Sequence, residues 1–250
     1  RRQGGRAGRT DPVPARRQAL ACRMPQAPDA APTLTAPARP LRAPMAVTAA
    51  VDAGALERDL RAAVKGEVRF DPKARALYAT DASPYRIPPI GVVVPIDEDD
   101  VRAAVRAAAR HGAPILPRGG GTSLAGQTVG QALVIDVSKH LTGVLELNLE
   151  ERWVRVQPGV VRDQLNRFLA PHGLQFTPDV ATTDRANVGG MVANNSSGTH
   201  SIKYGKTVDQ VIAMRVLLAD GTELELGPLS REELAAKLSQ DDREGELYRE

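Results

Sequence analysis

The amino-acid sequence predicts an α+β fold of two α/β subdomains, a small βαβ unit followed by a larger, mainly antiparallel sheet with helices. Three observations lead there. Between Gly91 and Leu116 an apolar run, an amphipathic stretch and a second apolar run follow one another, as strand, helix and strand do in a βαβ unit. From Leu133 onward the apolar runs become short and are spaced by turn residues, the pattern of antiparallel sheets. Between the two regimes lies Pro117-Arg118-Gly119-Gly120-Gly121-Thr122-Ser123-Leu124-Ala125-Gly126-Gln127, too rich in glycine for a regular element.

The elements can be justified in order. Leu56, Leu60 and Val64 recur at i, i+4 and i+8 and predict a helix over 55–64. The segment 71–79 follows, then the turn-rich Asp81-Ala82-Ser83-Pro84-Tyr85. Gly91–Pro95 is a continuous β run. Asp97 can cap a helix whose inward stripe is Val101, Ala104, Val105 and Ala108, and Gly112 takes the C′ position that ends it. Past the glycine-rich segment, Val134–Val137, Val144–Asn148 and Val154–Val156 read as strands of the second sheet. Val161, Leu165 and Leu169 mark a helix that Pro171-His172-Gly173 stops. Two β runs, 211–219 and 222–226, flank Asp220-Gly221, a hairpin signal. Ser230 and Glu233 form a capping box before another helix, and 241–250 reads as the beginning of a further one.

Composition narrows the function classes. An apolar content of 42% supports a core, and 3% aromatics make it aliphatic. No apolar run is long enough to span a membrane. The single Cys22 excludes an internal disulfide and any Cys-based iron–sulfur site within the chain. His111, His140, His172 and His200 are scattered without metal-ligand spacing, so no metal is expected. The net charge of +3 comes from residues 1–44, which hold nine Arg and two Asp and leave the remainder mildly acidic. Nucleic-acid binding is therefore not expected. Residues 1–44 also hold eight of the nineteen prolines and no Lys or Ser, so they are expected to be a disordered extension. Met45 opens the first ordinary sequence, which favours upstream read-through over a functional arm as the origin of the extension. The expected organisation is thus the extension at 1–44, a first subdomain at 45–130, a second at 131–228, and the start of a downstream region at 229–250.

The glycine loop invites a chemical reading. Consecutive glycines let main-chain N–H groups converge into one concavity, a nest that binds anions and above all phosphates. Thr122 and Ser123 add hydroxyls and Arg118 adds charge. The alternative is a flexible surface turn. The dinucleotide fingerprint Gly-x-Gly-x-x-Gly fails because position 124 is Leu. The P-loop spacing runs from Gly121 to Thr128, but Gln127 stands where Lys is required. A second cluster, Asn187-Val188-Gly189-Gly190-Met191-Val192-Ala193-Asn194-Asn195-Ser196-Ser197-Gly198, combines close-approach glycines with amides and hydroxyls. It suits a flat ligand, or equally a helix start followed by a polar loop.

Together, Pro117–Gly126, Val188–Gly198 and Tyr204-Gly205-Lys206-Thr207-Val208-Asp209 resemble the FAD-binding domain of the vanillyl-alcohol-oxidase (PCMH) type. Within it they look like FAD-linked D-lactate, glycolate and D-2-hydroxyglutarate dehydrogenases, most of all the long members with a C-terminal iron–sulfur domain. The resemblance covers roughly residues 52–250. It implies noncovalent FAD between the two subdomains, held by Pro117, Arg118, Gly119, Gly120, Gly121, Thr122 and Ser123 at the pyrophosphate, with Gln127 contacting the loop or the cofactor through its amide. Pro178, Val188, Gly189, Gly190, Asn194 and Gly198 match the flavin and ribityl side, and Val211 a main-chain contact at the cofactor's other end. The implied reaction moves a hydride from the α-carbon of a D-2-hydroxy acid to flavin N5. Catalytic groups and any 4Fe–4S centre are expected beyond Glu250, in a cap and C-terminal region, so no catalytic residue is assigned and the chain alone is expected to be inactive. The implied electron acceptor is an iron–sulfur domain, a quinone or a cytochrome. The implied location is the cytoplasm, or the membrane periphery for the full-length protein. The other reading is a phosphate-nest protein for a different nucleotide, without redox activity. Deleting residues 1–44 is expected to leave folding and flavin binding intact, with the melting temperature within about 5 °C of the full chain.

Overall fold

The computed structural model describes residues 51–250. The expectation for residues 1–44 lies outside the described residues. Helix α1 (Ala53–Ala63) begins at Asp52, whose carboxylate caps Ala55 N–H, and buries Leu56 and Leu60. Strand β1 (Glu67–Arg69) leads to α2 (Pro72–Leu77), which Asp71 caps. Strand β2 (Gly91–Val94) is buried along its whole length, as an apolar run in a covered sheet must be. Helix α3 (Glu98–Arg110) starts at the Asp97 cap with three acidic residues in its first turn. These oppose the positive helix N-terminus favourably. Gly112, at φ 61°, ends it as expected. Strand β3 (Ile115–Arg118) runs into the glycine loop, and β4 (Leu133–Asp136) follows the loop.

The first sheet has the order β1-β2-β4-β3. Strand β4 pairs in parallel with both β2 and β3, while β1 is antiparallel to β2. This corrects the strand assignment made from sequence. Leu133–Asp136 is not part of a second antiparallel sheet but a central strand of the first. The βαβ unit is accordingly split, because β4 lies between the two strands that α3 connects. The physical reason is visible in burial. All four residues of β4 are buried, so the strand needs neighbours on both edges and cover on both faces. One face packs with Leu56, Leu60, Val93, Ala104 and Ala108 under α1 and α3. The other places Val92, Val94 and Val134 against Tyr78 and Leu116.

The antiparallel part consists of two separate ribbons among the described residues. Strands β5 (Val144–Asn148) and β6 (Trp153–Val156) form one. Helix α4 (Arg162–Leu169) packs Leu165 and Leu169 against Val144, Leu147, Val154 and Val156. After a 3-10 turn at Ala170–His172 come the short helices α5 (Val188–Ala193) and α6 (Ser201–Tyr204). Strands β7 (Met214–Leu217) and β8 (Glu223–Leu226) form the second ribbon, turning at Gly221 with φ 91°. Arg102 on α3 reaches Glu223 at 2.5 Å, and Arg215 pairs with Glu98, so the ribbon is tied to α3 through exposed ion pairs. Helices α7 (Arg231–Ser239), opened by the Ser230–Glu233 capping box, and α8 (Arg243–Arg249) complete the chain.

Asp100 joins these pieces from inside. It is buried, and its carboxylate accepts the N–H groups of Lys65 at 2.8 Å, Gly66 at 2.9 Å and Ile96 at 3.0 Å. One side chain thus fixes the turn after α1 and the entry to α3. Asp100→Ala removes the acceptor of three part-buried N–H groups. It is expected to cost about 3 kcal/mol and to lower the melting temperature by roughly 6–12 °C, read by calorimetry.

Candidate cofactor-binding site

The site begins where β3 stops. The β3–β4 pairing ends at Arg118 and Asp136, after which Arg118 C=O accepts Val137 N–H at 3.0 Å. Beyond that point the N–H groups of Gly119, Gly120, Gly121, Thr122 and Ser123 find no main-chain acceptor among the described residues. Five successive donors thus lack a main-chain partner, which an anion nest requires. Gly121 is left-handed at φ 63°, which rotates the run out of the strand direction.

Two details differ from the expectation. Gly120 does not lie at positive φ. It is required for room, since a Cβ there would stand 2.4 Å from Arg185 C=O. Arg118 lines the loop's cleft with its guanidinium beside Gly121, but its N–H groups are engaged by main-chain carbonyls. Its guanidinium turns back, donating to Thr80 C=O at 2.8 Å and Thr128 C=O at 3.0 Å, and lies 5.2 Å from the Tyr78 ring centroid. Its role is to brace main-chain carbonyls around the loop's root. Tyr78 in turn donates to Asp136 at 2.6 Å, and burial together with that bond pushes the phenol's pKa well up.

The second cluster approaches through main-chain contacts. Val161 and Asn187 form an isolated bridge, Val188 N–H donates to Val160 C=O, and Gly189 N–H to Pro158 C=O at 2.9 Å. Gly189 lies so near Pro158 that a Cβ would meet it at 2.6 Å. Gly190, by contrast, faces open space. Asn187 is buried; its Nδ2 donates to Gly159 C=O, while its Oδ1 has no partner and faces Gly119.

Gln127 joins the clusters. Its Oε1 accepts Ser123 Oγ–H at 2.7 Å, and its Nε2 donates to Asn194 Oδ1 at 2.8 Å. The glycine loop from Pro117 to Ser123, Gln127, and the α5 residues Val188, Gly189, Gly190 and Asn194 therefore form one connected structure. Pro178 and Gly198 meet at a neighbouring turn. Pro178 C=O accepts Arg162 Nε–H at 3.0 Å, and Gly198 packs directly on Asp179. The Asp179 carboxylate accepts Thr199 Oγ1–H and His200 N–H; these bonds outweigh burial and hold it below the usual carboxylate range. Val211 lies in an apolar groove that it shares with Val192 and Asn195 of the second cluster and with Val208, Ile212 and Met214.

Sequence reasoning missed Thr182 and Arg185, which face Gly120, Gly121 and Thr122 across a cleft of about 340 Å³. It also missed Asp81, which lines the same cleft. Asp81 was legible only as a turn residue before Ser83-Pro84. Thr182 and Arg185 carry no local signal, because a chain reversal brings them to the loop.

The donor run and the glycines packed against backbone fit a diphosphate-bearing cofactor. Comparison with known proteins agrees. Residues 89–227 match the family model described as an FAD binding domain. D-2-hydroxyglutarate dehydrogenase of Pseudomonas putida is 42% identical over 191 residues, covering 74% of this chain and 19% of that protein. The glycolate oxidase subunit GlcD of Bacillus subtilis is 34% identical over 168 residues, covering 66% of this chain and 36% of that protein. Among solved structures, the xylooligosaccharide oxidase of Myceliophthora thermophila in complex with xylobiose has a TM-score of 0.60 at 26% identity, covering 72% of this chain and 38% of that one. The match spans about a fifth of the length of the P. putida relative. With more than half of its length inside the family model and its two glycine clusters joined in one site, the chain belongs to the PCMH-type FAD-binding domain family.

Proposed function

We propose that this chain is the FAD-holding part of a flavin-dependent dehydrogenase that oxidises a D-2-hydroxy acid of the D-2-hydroxyglutarate, glycolate or D-lactate class. The observation that carries the reading is the run of unpaired N–H groups from Gly119 to Ser123, tied to Asn194 through Gln127. In this reading the five N–H groups hold the FAD diphosphate, and Thr122 adds a hydroxyl donor. Ser123 Oγ is already committed to Gln127, so it shapes the loop instead of binding. Gly190 leaves room for a flat ring or its ribityl chain beside α5. The cofactor is held noncovalently. His200 is turned toward Asp179 at 3.4 Å and serves that turn, not a covalent link.

Bound FAD supplies the hydride acceptor, N5, for the hydrogen on the α-carbon of the 2-hydroxy acid. This chain's residues orient it by gripping its diphosphate and lining its ribityl side, which sets the ring's position for attack. No residue of the chain is assigned as the base that takes the alcohol proton. The electrons pass on to an iron–sulfur domain, a quinone or a cytochrome in the whole protein, which works in the cytoplasm or at the membrane periphery. Among the described residues no helix is long and apolar enough to cross a membrane.

After unbound FAD is removed by gel filtration, the chain supplied with FAD is expected to remain yellow, with absorption bands near about 370 and 450 nm, and to release the flavin on acid denaturation. Failure to take up added FAD would overturn the reading in favour of a different phosphate ligand. Gly120→Val must displace either the loop or the Arg185 carbonyl, so its FAD affinity is expected to fall at least about a hundredfold by fluorescence titration. An affinity within about twofold of wild type would show that the loop does not hold the cofactor.

A further inference from the structure

The glycine loop poses a mechanical problem. Its five N–H groups have no main-chain acceptor to hold them, and its glycines are the residues that resist ordering most. Something must hold the loop in shape before a ligand arrives. The structure places one neighbouring segment in position to do so, the turn Asp81-Ala82-Ser83-Pro84-Tyr85.

This turn is itself closed at its base. Thr80 bridges Arg86, and Ile87 N–H donates to Ala79 C=O at 2.8 Å. From that base it touches the loop at three points. Ala82 N–H donates to Gly121 C=O at 3.1 Å. The Tyr85 ring packs on Gly126, where a Cβ would come within 2.5 Å of it. The Asp81 carboxylate accepts Thr128 Oγ1–H at 2.9 Å and Thr128 N–H at 3.3 Å. Its other oxygen accepts Ser83 N–H at 2.8 Å, which holds the turn together. Gly121 and Gly126 are the two positions in the loop with positive φ, at 63° and 72°. The turn therefore contacts both points where the loop reverses, and Asp81 secures the end where the loop returns toward β4. Arg118 closes the opposite side by donating to Thr80 C=O and Thr128 C=O.

We propose that the Asp81–Tyr85 turn is a clasp that preorganises the glycine loop for a diphosphate, with Asp81 as its positioning residue. The inference rests on the flavin reading for the identity of the ligand, but the clasp itself rests on the contacts above. Asp81 lines the cleft, and it acts on the loop through Thr128 and Ser83, whose bonds occupy both of its oxygens. By holding the donors converged in the free chain, the clasp lowers the ordering cost of binding. The carboxylate is suited to this. Burial raises its pKa, but the bonds from Ser83 and Thr128 prevail and keep it ionised as a strong acceptor.

The test compares FAD with riboflavin, which lacks the diphosphate, on the wild-type chain and on Asp81→Ala, Asp81→Asn and Thr128→Val. Asp81→Ala is expected to raise the Kd for FAD about tenfold while the Kd for riboflavin stays within about twofold. Thr128→Val should show a selective loss of the same kind, and Asp81→Asn, which keeps an acceptor oxygen, should recover most of the affinity. Equal weakening of FAD and riboflavin with a lowered melting temperature would reduce Asp81 to general stability and overturn the proposal. So would an unchanged FAD affinity. A second readout needs no flavin. Backbone NMR order parameters over residues 119–126 of the free chain should fall from about 0.85 to below about 0.6 in Asp81→Ala, or in Thr128→Val if Asp81→Ala does not fold. Unchanged order parameters would refute the clasp whatever the chain binds. Loss of order in a chain that takes up neither flavin would refute the flavin reading and support the clasp.

Discussion

Five consecutive main-chain donors, Gly119 to Ser123, have no main-chain acceptor, and the segments around them hold the loop in place. Here the sheet stops pairing at Arg118, the backbone reverses at Gly121, and neighbouring segments supply every restraint except an acceptor. Arg118 ties down the carbonyls around the loop's root, Gln127 links the loop to α5, and Arg185 C=O closes over Gly120. A ligand with several acceptor oxygens is the natural complement of such a surface.

The core explains why the loop can be held so firmly. Strand β4 is buried along its length and paired on both edges, so the loop that leaves the edge strand β3 returns to the most constrained strand of the sheet. Asp100 adds a second internal tie, fixing the turn after α1 and the residue before the Asp97 cap. The second glycine cluster is anchored differently, through main-chain bonds to Pro158 and Val160 beside the β5–β6 ribbon. Gln127 spans the two environments, joining Ser123 on the first sheet's loop to Asn194 on the other part of the fold. Ligand binding between two such parts is the usual arrangement for cofactors that need both orientation and shelter.

Much of this was legible from residues alone. Asp97, the Val101–Ala108 stripe and Gly112 mark the bounds of α3 because capping, amphipathicity and C′ glycine are local effects. Asp220-Gly221 located the β7–β8 turn, and Ser230 with Glu233 located the start of α7, for the same reason. The two glycine clusters stood out because few local structures need so many residues without Cβ. Other features were hidden. Leu133–Asp136 has the length and spacing of a meander strand, and nothing local says that it inserts between β2 and β3. Arg118 reads as a phosphate counter-charge from its place in the motif, yet its guanidinium has carbonyls of Thr80 and Thr128 within reach and turns to them.

The sequence by itself determined which backbone could be left bare and flexible enough to face an anion, since that depends on glycine content and order at 119–121 and 189–190. It also determined the family resemblance and most helix ends, which are properties of short windows. Only the tertiary structure decided what each glycine is for. Gly120 is needed because Arg185, 65 positions later, brings a carbonyl to its Cα, and Gly121 because the loop turns there. It alone decided that Gln127 reaches Asn194 and that Asp81 reaches Thr128, 47 positions away. Those partners are set by how a parallel strand is threaded and how two parts of the chain close on each other, and such long-range geometry leaves no periodic trace in the residues themselves.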